Sequence, residues 1–128
     1  MEEKYKKQFE LINDSLWLLT KKYVKDINTY KNIMSGAFNL YMVMDKKKRF
    51  TEEWWNEAIE VMMSFPEKYK ATEYRSFVGD LCIGFNDYWE LAQHNKESYL
   101  DFYKCISKAF INEWERLKNE KEVKTKTT

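Results

Sequence analysis

Glycine and proline are the scarcest structural residues in this chain, with 3 Gly and 1 Pro among 128 residues. Tight turns and close backbone approaches depend on these two residue types, so their scarcity disfavours a fold with many such turns. Long helices joined by short connections suit this composition. By length the chain is one domain, large enough to bury about two-thirds of the surface of its unfolded state.

Histidine and cysteine are also scarce, and this excludes several kinds of site. The single histidine, His94, rules out a multi-histidine metal centre within one chain. The sequence contains no C-x-x-C motif, no glycine-rich phosphate loop and no nucleophile elbow. We therefore predict no catalytic residue, no cofactor and no metal. A nucleophilic pair of His94 with Cys82 or Cys105 is the catalytic alternative.

Both cysteines fall on or near apolar helical faces. This placement predicts that Cys82 and Cys105 are buried free thiols in a reducing, cytoplasmic compartment. A disulfide between adjacent helices is the alternative, which spacing alone does not decide.

The sequence has neither a large excess of charge of one sign nor a long apolar run. The net charge is +1, so no overall field attracts nucleic acid or an anionic membrane, and nucleic acid is an unlikely partner. The longest apolar-looking run, 37–44, is far too short to cross a bilayer, so we predict no transmembrane segment. The charged residues 1–4 lack the apolar core of a signal peptide.

The charges that are present are unevenly distributed. Residues 1–50 hold 11 Lys and Arg against 6 Asp and Glu, whereas residues 51–118 hold 8 against 13. We expect the basic first part to pack beside the acidic remainder in one bundle, and head-to-tail association of copies is the alternative. The basic run 46–49 is predicted to complement the carbonyl end of a helix, with a phosphate-contacting loop as the alternative.

Aromatic residues are abundant, at 17% of the chain, and they mark the predicted helices. From Tyr5 to Met34 one apolar seam repeats at intervals of three and four, and its phase continues to Met44. The spacing predicts one long helix over 3–45, which Gly36 could bend or interrupt. The members of the seam are Tyr5, Phe9, Ile12, Leu16, Leu19, Tyr23, Ile27, Tyr30, Met34, Ala37, Tyr41 and Met44.

Two capping patterns divide the middle of the chain. Thr51 is predicted to cap a short helix over 51–63. Ser64 with Glu67 matches a capping box and Pro66 suits a first turn, which predicts a helix over 65–93.

The 65–93 helix carries the most aromatic face of the chain, which predicts that it is the core helix. That face consists of Tyr74, Phe77, Val78, Leu81, Cys82, Phe85, Tyr88, Trp89 and Ala92. A last helix is predicted over 97–118, with an apolar arc of Tyr99, Phe102, Tyr103, Ile106, Ala109, Phe110, Trp114 and Leu117.

These patterns together predict an all-α, antiparallel four-helix bundle with a long N-terminal helix. The bundle is expected to form one domain over 1–118, followed by a charged flexible tail over 119–128.

Several apolar residues miss the seams, and they suggest an interface. Trp17 and Val24 flank the first helix on one side, and Leu11 and Leu18 on the other. Two further sets are Ile83 and Leu91 on the core helix, and Leu100 and Ile111 on the last one.

Gly79 and Gly84 lie beside Ile83, where a neighbouring helix or a second copy could approach the backbone. We therefore predict a non-catalytic interaction or assembly protein that self-associates, with Trp17, Val24, Gly79, Ile83, Gly84 and Leu91 as the candidate partner-binding residues.

Two other functions fit the same sequence features. The segment FNDYWELAQHNKESYLDFYK at 85–104 resembles phasins and the related accessory subunits of polyester synthases. This resemblance implies that the chain coats an apolar granule or assists a synthase. A small viral or mobile-element protein that binds a host protein is the further alternative.

Overall fold

The computed structural model describes residues 2–20 and 26–127, and it describes side chains for all of these except Thr20 and 123–127. The described ranges form five helices and no strand: α1 (Glu3–Thr20), α2 (Ile27–Asp45), α3 (Glu52–Glu67), α4 (Arg75–Gln93) and α5 (Tyr99–Thr127). The predicted all-α class is confirmed. None of these helices is both long and apolar enough to cross a membrane.

Helices that follow one another in the chain run antiparallel, as predicted. Tyr5 at the start of α1 reaches Asp45 at the end of α2. Near the start of α4, Phe77 packs on Phe110 of α5, whereas Tyr88 near the end of α4 packs on Phe102 at the start of α5. These contacts show that the helices pack as an antiparallel bundle.

Helices α1, α2, α4 and α5 surround one buried tyrosine on α2. The Tyr41 ring lies 6.4 Å from Tyr5 on α1, 4.7 Å from Phe85 on α4 and 5.7 Å from Phe102 on α5, measured between ring centroids. The Tyr41 hydroxyl donates to Gln8 Oε1 at 3.1 Å, so its buried polar atom is satisfied. These four helices meet in one core, to which α3 adds Trp54, Ala58, Met62 and Phe65.

Helix α3 connects two helices that run in the same direction. Tyr30 and Tyr41 of α2 face Phe77 and Trp89 of α4 in the same order, which makes α2 and α4 parallel. Helix α3 packs against both of them and carries the chain back from the end of α2 to the start of α4. The indole of Trp54 anchors it by donating to Met44 O at 2.9 Å.

The prediction of a single helix over 3–45 is wrong, because α2 begins as a separate helix with its own N-cap. Asp26 has non-helical dihedral angles, φ −109° and ψ 78°, and its side chain accepts a hydrogen bond from Thr29 N at 3.3 Å. Helix α1 folds back on α2, where Phe9 packs on Phe38. The apolar residues keep the same three- and four-residue spacing on both sides of the break, so the spacing alone does not reveal it. Residues 21–25, including the predicted seam residue Tyr23, lie outside the described part.

Gly36 does not interrupt α2, which is continuous from Ile27 to Asp45. A Cβ at this position would lie 3.1 Å from the Phe65 ring of α3, so the glycine makes room for that ring. Phe65 is buried because it continues the apolar face of α3. For the same reason α3 runs on through Pro66 to Glu67, and the predicted start of the next helix at 65 is wrong.

The predicted capping box at Ser64 and Glu67 is also wrong. Ser64 Oγ donates back to Glu60 O at 2.8 Å, within α3, and α4 begins only at Arg75. The predicted cap at Thr51 is confirmed, since its hydroxyl accepts from Trp54 N at 3.1 Å.

The last helix is longer than predicted. Helix α5 extends to Thr127 instead of ending at 118. An ion pair between Arg116 and Glu120, at 2.7 Å and four residues apart, supports this extension. The flexibility of residues 119–128 stays a prediction.

Candidate interaction site

An apolar groove lies between α1 and α5. The two helices run parallel, since Lys4 reaches Glu97 just before α5, and Leu19 lines the groove together with Phe110. The groove encloses about 310 Å³. Its lining residues are Ser15, Leu18, Leu19, Tyr103, Ser107, Phe110, Ile111 and Trp114, which we call the α1–α5 groove.

The two serine hydroxyls of this groove are satisfied within their own helices. Ser15 Oγ donates to Leu11 O at 3.1 Å, and Ser107 Oγ donates to Lys104 O at 3.4 Å. These small side chains leave space between the helices without offering unpaired hydroxyls. The groove therefore favours apolar contacts over polar recognition.

Large apolar side chains on the walls of the groove are exposed. Leu18 is 66% exposed and Ile111 is 54% exposed, and Leu100 continues the same side of α5 at 59%. Tyr103 was predicted to be core but is 41% exposed. Two pairs of apolar residues outside the predicted seams were the sequence signals for this surface: Leu11 with Leu18, and Leu100 with Ile111. Their proximity could not be predicted, because the sequence does not show that α1 and α5 are neighbours.

The predicted partner-binding residues that the structure describes differ in their exposure. On α1, Trp17 is 66% exposed but is separated from Leu18 by about 100° around the helix. Val24 lies outside the described residues. Ile83 is 58% exposed on the outer side of α4, whereas Leu91 is half-buried in a second groove.

Gly79 and Gly84 differ from each other in their surroundings. A Cβ at Gly84 would lie 2.9 Å from Cys105 O of α5, so Gly84 is a packing contact within the chain. A Cβ at Gly79 would meet nothing within 4 Å. Gly84 therefore packs against α5 of its own chain, and its predicted contact with a partner stays a prediction.

The second groove lies over α4, between α3 and α5, and contains His94 and Cys105. It is wide, at about 690 Å³, and Trp55 and Leu91 also line it. Burial is the main factor that raises the pKa of the Cys105 thiol. A thiol with a raised pKa is a poor nucleophile at neutral pH, which argues against a Cys–His pair here.

The other cysteine is no better suited to nucleophilic chemistry. Cys82 does not line this groove, and burial raises its pKa to about 12. Both thiols are buried and free, so the predicted state of the two cysteines is confirmed.

One buried carboxylate collects four hydrogen-bond donors, and we call this the Asp45 cluster. Asp45 Oδ2 accepts from Lys4 Nζ at 2.8 Å and from the Tyr5 hydroxyl at 2.7 Å. Asp45 Oδ1 accepts from Arg49 at 3.0 Å and from Trp89 Nε1 at 3.0 Å. All of its acceptor capacity is used inside the fold, so the cluster ties α1, α2 and α4 together.

The electrostatics of this cluster favour the charged carboxylate. Burial alone raises the pKa of Asp45, but the hydrogen bonds and the Lys4 charge outweigh it and lower the pKa below its usual range. Glu97 extends the cluster to the start of α5 through ion pairs with Arg49 and Lys4. The hydrogen bond from Arg49 is the main factor that lowers the Glu97 pKa.

A second buried carboxylate lies toward the other end of the bundle. Glu113 accepts from the Tyr30 hydroxyl at 2.8 Å and from Arg116 at 2.6 and 3.0 Å. This carboxylate joins α2 to α5 and, like Asp45, has partners on both oxygens. Its contacts suit a structural role.

The basic run 46–49 mostly contacts its own chain. Lys46 lies over the Tyr5 ring at 5.2 Å, Lys47 pairs with Glu57 at 2.5 Å, and Arg49 belongs to the Asp45 cluster. Helix α2 ends at Asp45, directly before this run, and the complementing of its carbonyl end by these cations stays a prediction. Among the described residues, no group of three or more His, Cys, Asp or Glu could hold a metal ion.

The fold and these surfaces define a helical bundle whose apolar groove is its most distinctive exposed feature. We compared the chain with protein-family models, with curated proteins and with solved structures, and nothing matched in any of the three comparisons. The resemblance to phasins therefore gains no support from them.

Proposed function

We propose that this chain is a non-catalytic interaction protein that self-associates through apolar helix faces. The observation that carries this proposal is the α1–α5 groove, whose apolar walls are open to solvent. Water-exposed apolar side chains that surround a concave surface are typical of sites that another protein surface covers. Burying Leu18, Tyr103 and Ile111 against a partner would remove them from water.

The buried polar groups support the non-catalytic part of the proposal. Asp45 and Glu113 are the strongly buried carboxylates of the described residues, and both are held by donors from their own chain. The two thiols have raised pKa values. Chemistry at any of these groups would first require breaking contacts that stabilise the fold.

Sedimentation velocity and light scattering at micromolar concentrations test the proposal. We expect wild type to associate in a concentration-dependent manner, and we expect Ile111→Glu to shift the population toward monomer. The matched control is Val43→Glu, because Val43 is 48% exposed on α2 and does not line the groove. A compact wild-type monomer at every concentration would contradict self-association.

Binding to an apolar surface is the second candidate function. It is favoured by exposed apolar residues outside the groove, including Trp17, Ile83 and Met63. Partition onto hydrophobic beads tests it with the triple variant Trp17→Glu, Ile83→Glu and Leu91→Glu. Undiminished binding of that variant would count against this function, and Val43→Glu again serves as the control.

A further inference from the structure

We infer that a second copy of this chain covers the α1–α5 groove, with the two α5 helices antiparallel across a two-fold axis. This inference rests on the proposed self-association and specifies its geometry. It is drawn from the order of charges along α5, where Lys104 and Glu115 stand on either side of Ile111.

Lys104 and Glu115 lie on the same side of α5. They are separated by 11 residues, which corresponds to about three turns and about 16 Å along the helix. Ile111 projects from the same side between them. Leu100, Lys104, Ser107 and Ile111 follow at intervals of four, three and four, which is the spacing of a helix–helix seam. Helix α5 thus has an outer seam as well as the one that faces the core.

Both charged side chains are exposed, and neither forms an ion pair with another described residue of its chain. Lys108, one turn after Lys104, is likewise exposed and forms no ion pair with a described residue, whereas two other cations on this part of the surface contact aromatic rings. Lys118 lies over the Trp114 ring at 5.1 Å, and Lys7 lies over the Tyr99 ring at 5.4 Å. Lys104 and Glu115 are therefore available for contacts with another molecule.

A face that binds its own copy must carry both halves of each contact. In a two-fold antiparallel arrangement, residues at equal distances on either side of the axis lie opposite each other. An axis level with Ala109 and Phe110 places Lys104 of one copy opposite Glu115 of the other, and it does so twice. The charge order on α5 thus makes this face complementary to itself.

The same axis brings the apolar residues together. The two Ile111 side chains come within about 5 Å of each other along the helix direction, since each lies one or two residues from the axis. Small Ser107 side chains leave room beside them. Leu18 of α1 lines the groove with Ile111, so the two Leu18 side chains also lie close to the axis. Apolar contacts at the centre with charge pairs outside them are the usual order in protein interfaces.

Charge reversal with mixing tests this arrangement. Lys104→Glu and Glu115→Lys each place like charges opposite one another twice, so we expect each variant alone to raise the dimer dissociation constant about tenfold or more. An equimolar mixture of the two variants restores opposite charges at both positions, and so does the double variant in one chain. Both should return the dissociation constant to within about threefold of wild type.

Lys31→Glu is the matched control for Lys104→Glu, because Lys31 is an exposed lysine on α2 and its reversal makes the same change in net charge. Its dissociation constant should equal that of wild type. Circular dichroism checks that every variant remains helical.

The outcomes separate this inference from the function on which it rests. If wild type is monomeric, self-association itself fails. If wild type dimerises, either of two results overturns the antiparallel α5 pairing: the mixture of variants keeps a raised dissociation constant, or the single charge reversals leave the dissociation constant unchanged. In both cases self-association stands. Recovery in the mixture supports the pairing, because a partner of different sequence would not respond to it.

Discussion

At the scale of single residues, Asp45 shows how much one buried charge can connect. Its carboxylate accepts hydrogen bonds from side chains on α1, on α4 and in the turn after α2. In the sequence, Asp45 stands directly before the basic run that ends the predicted first helix, and no local pattern marks it as buried. Burial follows from the return of α1 along α2, which brings Lys4 and Tyr5 to the end of α2. A local pattern contains no information about that return.

Asp45→Asn should destabilise the protein by about 3 kcal/mol at neutral pH, because it removes the negative charge that Lys4 and Arg49 neutralise. We take the low end of the usual range for a broken buried pair, since these cations are 33% and 24% exposed. Urea denaturation measures the change. The control is Lys47→Gln, which breaks an exposed pair with Glu57 and should cost about 1 kcal/mol or less.

The pH dependence of this effect follows from the lowered pKa of Asp45. A lowered folded-state pKa means that the carboxylate stabilises the fold above its unfolded pKa of about 4 and loses that contribution as pH falls through the folded pKa. The difference between wild type and Asp45→Asn should therefore shrink below about pH 4. An unchanged difference at pH 7 and pH 3 would contradict the assignment.

At the scale of helices, the close packing of α4 on α5 depends on one glycine. The missing side chain of Gly84 lets Cys105 O approach, whereas Gly79, one and a half turns earlier on α4, faces open space. The sequence predicted that something approaches the backbone near these glycines. This is correct for Gly84, but the neighbour is α5 of the same chain.

Gly84→Ala and Gly79→Ala should change stability in opposite directions. Alanine at 84 must displace Cys105 O or the Ile106 side chain, at an expected cost of about 1–3 kcal/mol. Alanine at 79 should stabilise the protein by about 0.4–1 kcal/mol, because it reduces the entropy of the unfolded chain and improves helix propensity. Chemical denaturation of both variants provides the measurement, and changes of the same sign would disprove the packing difference.

The observed helix bounds show which of the predicted cap sequences begin a helix in this chain. Thr51 caps α3 as predicted, because its hydroxyl stands free to accept from the first turn. Ser64 has the same signature but lies where the apolar face of α3 continues to Phe65, and burial of that ring keeps the backbone helical through Pro66. At Ser64 the continuing apolar face of α3 therefore outweighs the cap sequence.

At the scale of the whole molecule, the order of helices decides which surfaces are exposed. Helix α3 crosses outside the four core helices, so α2 and α4 can lie parallel, and α5 then returns beside α1. This last placement creates the α1–α5 groove. It also buries both cysteines, on α4 and on α5.

Thiol labelling reports on the integrity of this whole arrangement. A disulfide-exchange reagent should label Cys82 and Cys105 at least roughly a thousandfold more slowly in the folded protein than in urea, because both thiols become reactive only when the bundle opens. An added cysteine at an exposed position, Lys48→Cys, provides the control and should react at the rate of a free thiol. Rapid labelling of the wild-type thiols would show that one of them is at the surface.

The sequence by itself determined the all-helical class, the aromatic core face of α4 and the low charge that disfavours nucleic acid. Each of these depends on composition or on a period within one segment, so it is present before any tertiary contact forms. Only the tertiary structure decided that α1 and α5 are neighbours, that Asp45 is buried, and that Leu18 and Ile111 belong to one groove. The physical reason is that an apolar seam fixes which side of a helix is buried but not which helix covers it. The residues that meet in the groove are about 90 positions apart in the chain, and only the packing order of five helices brings them together.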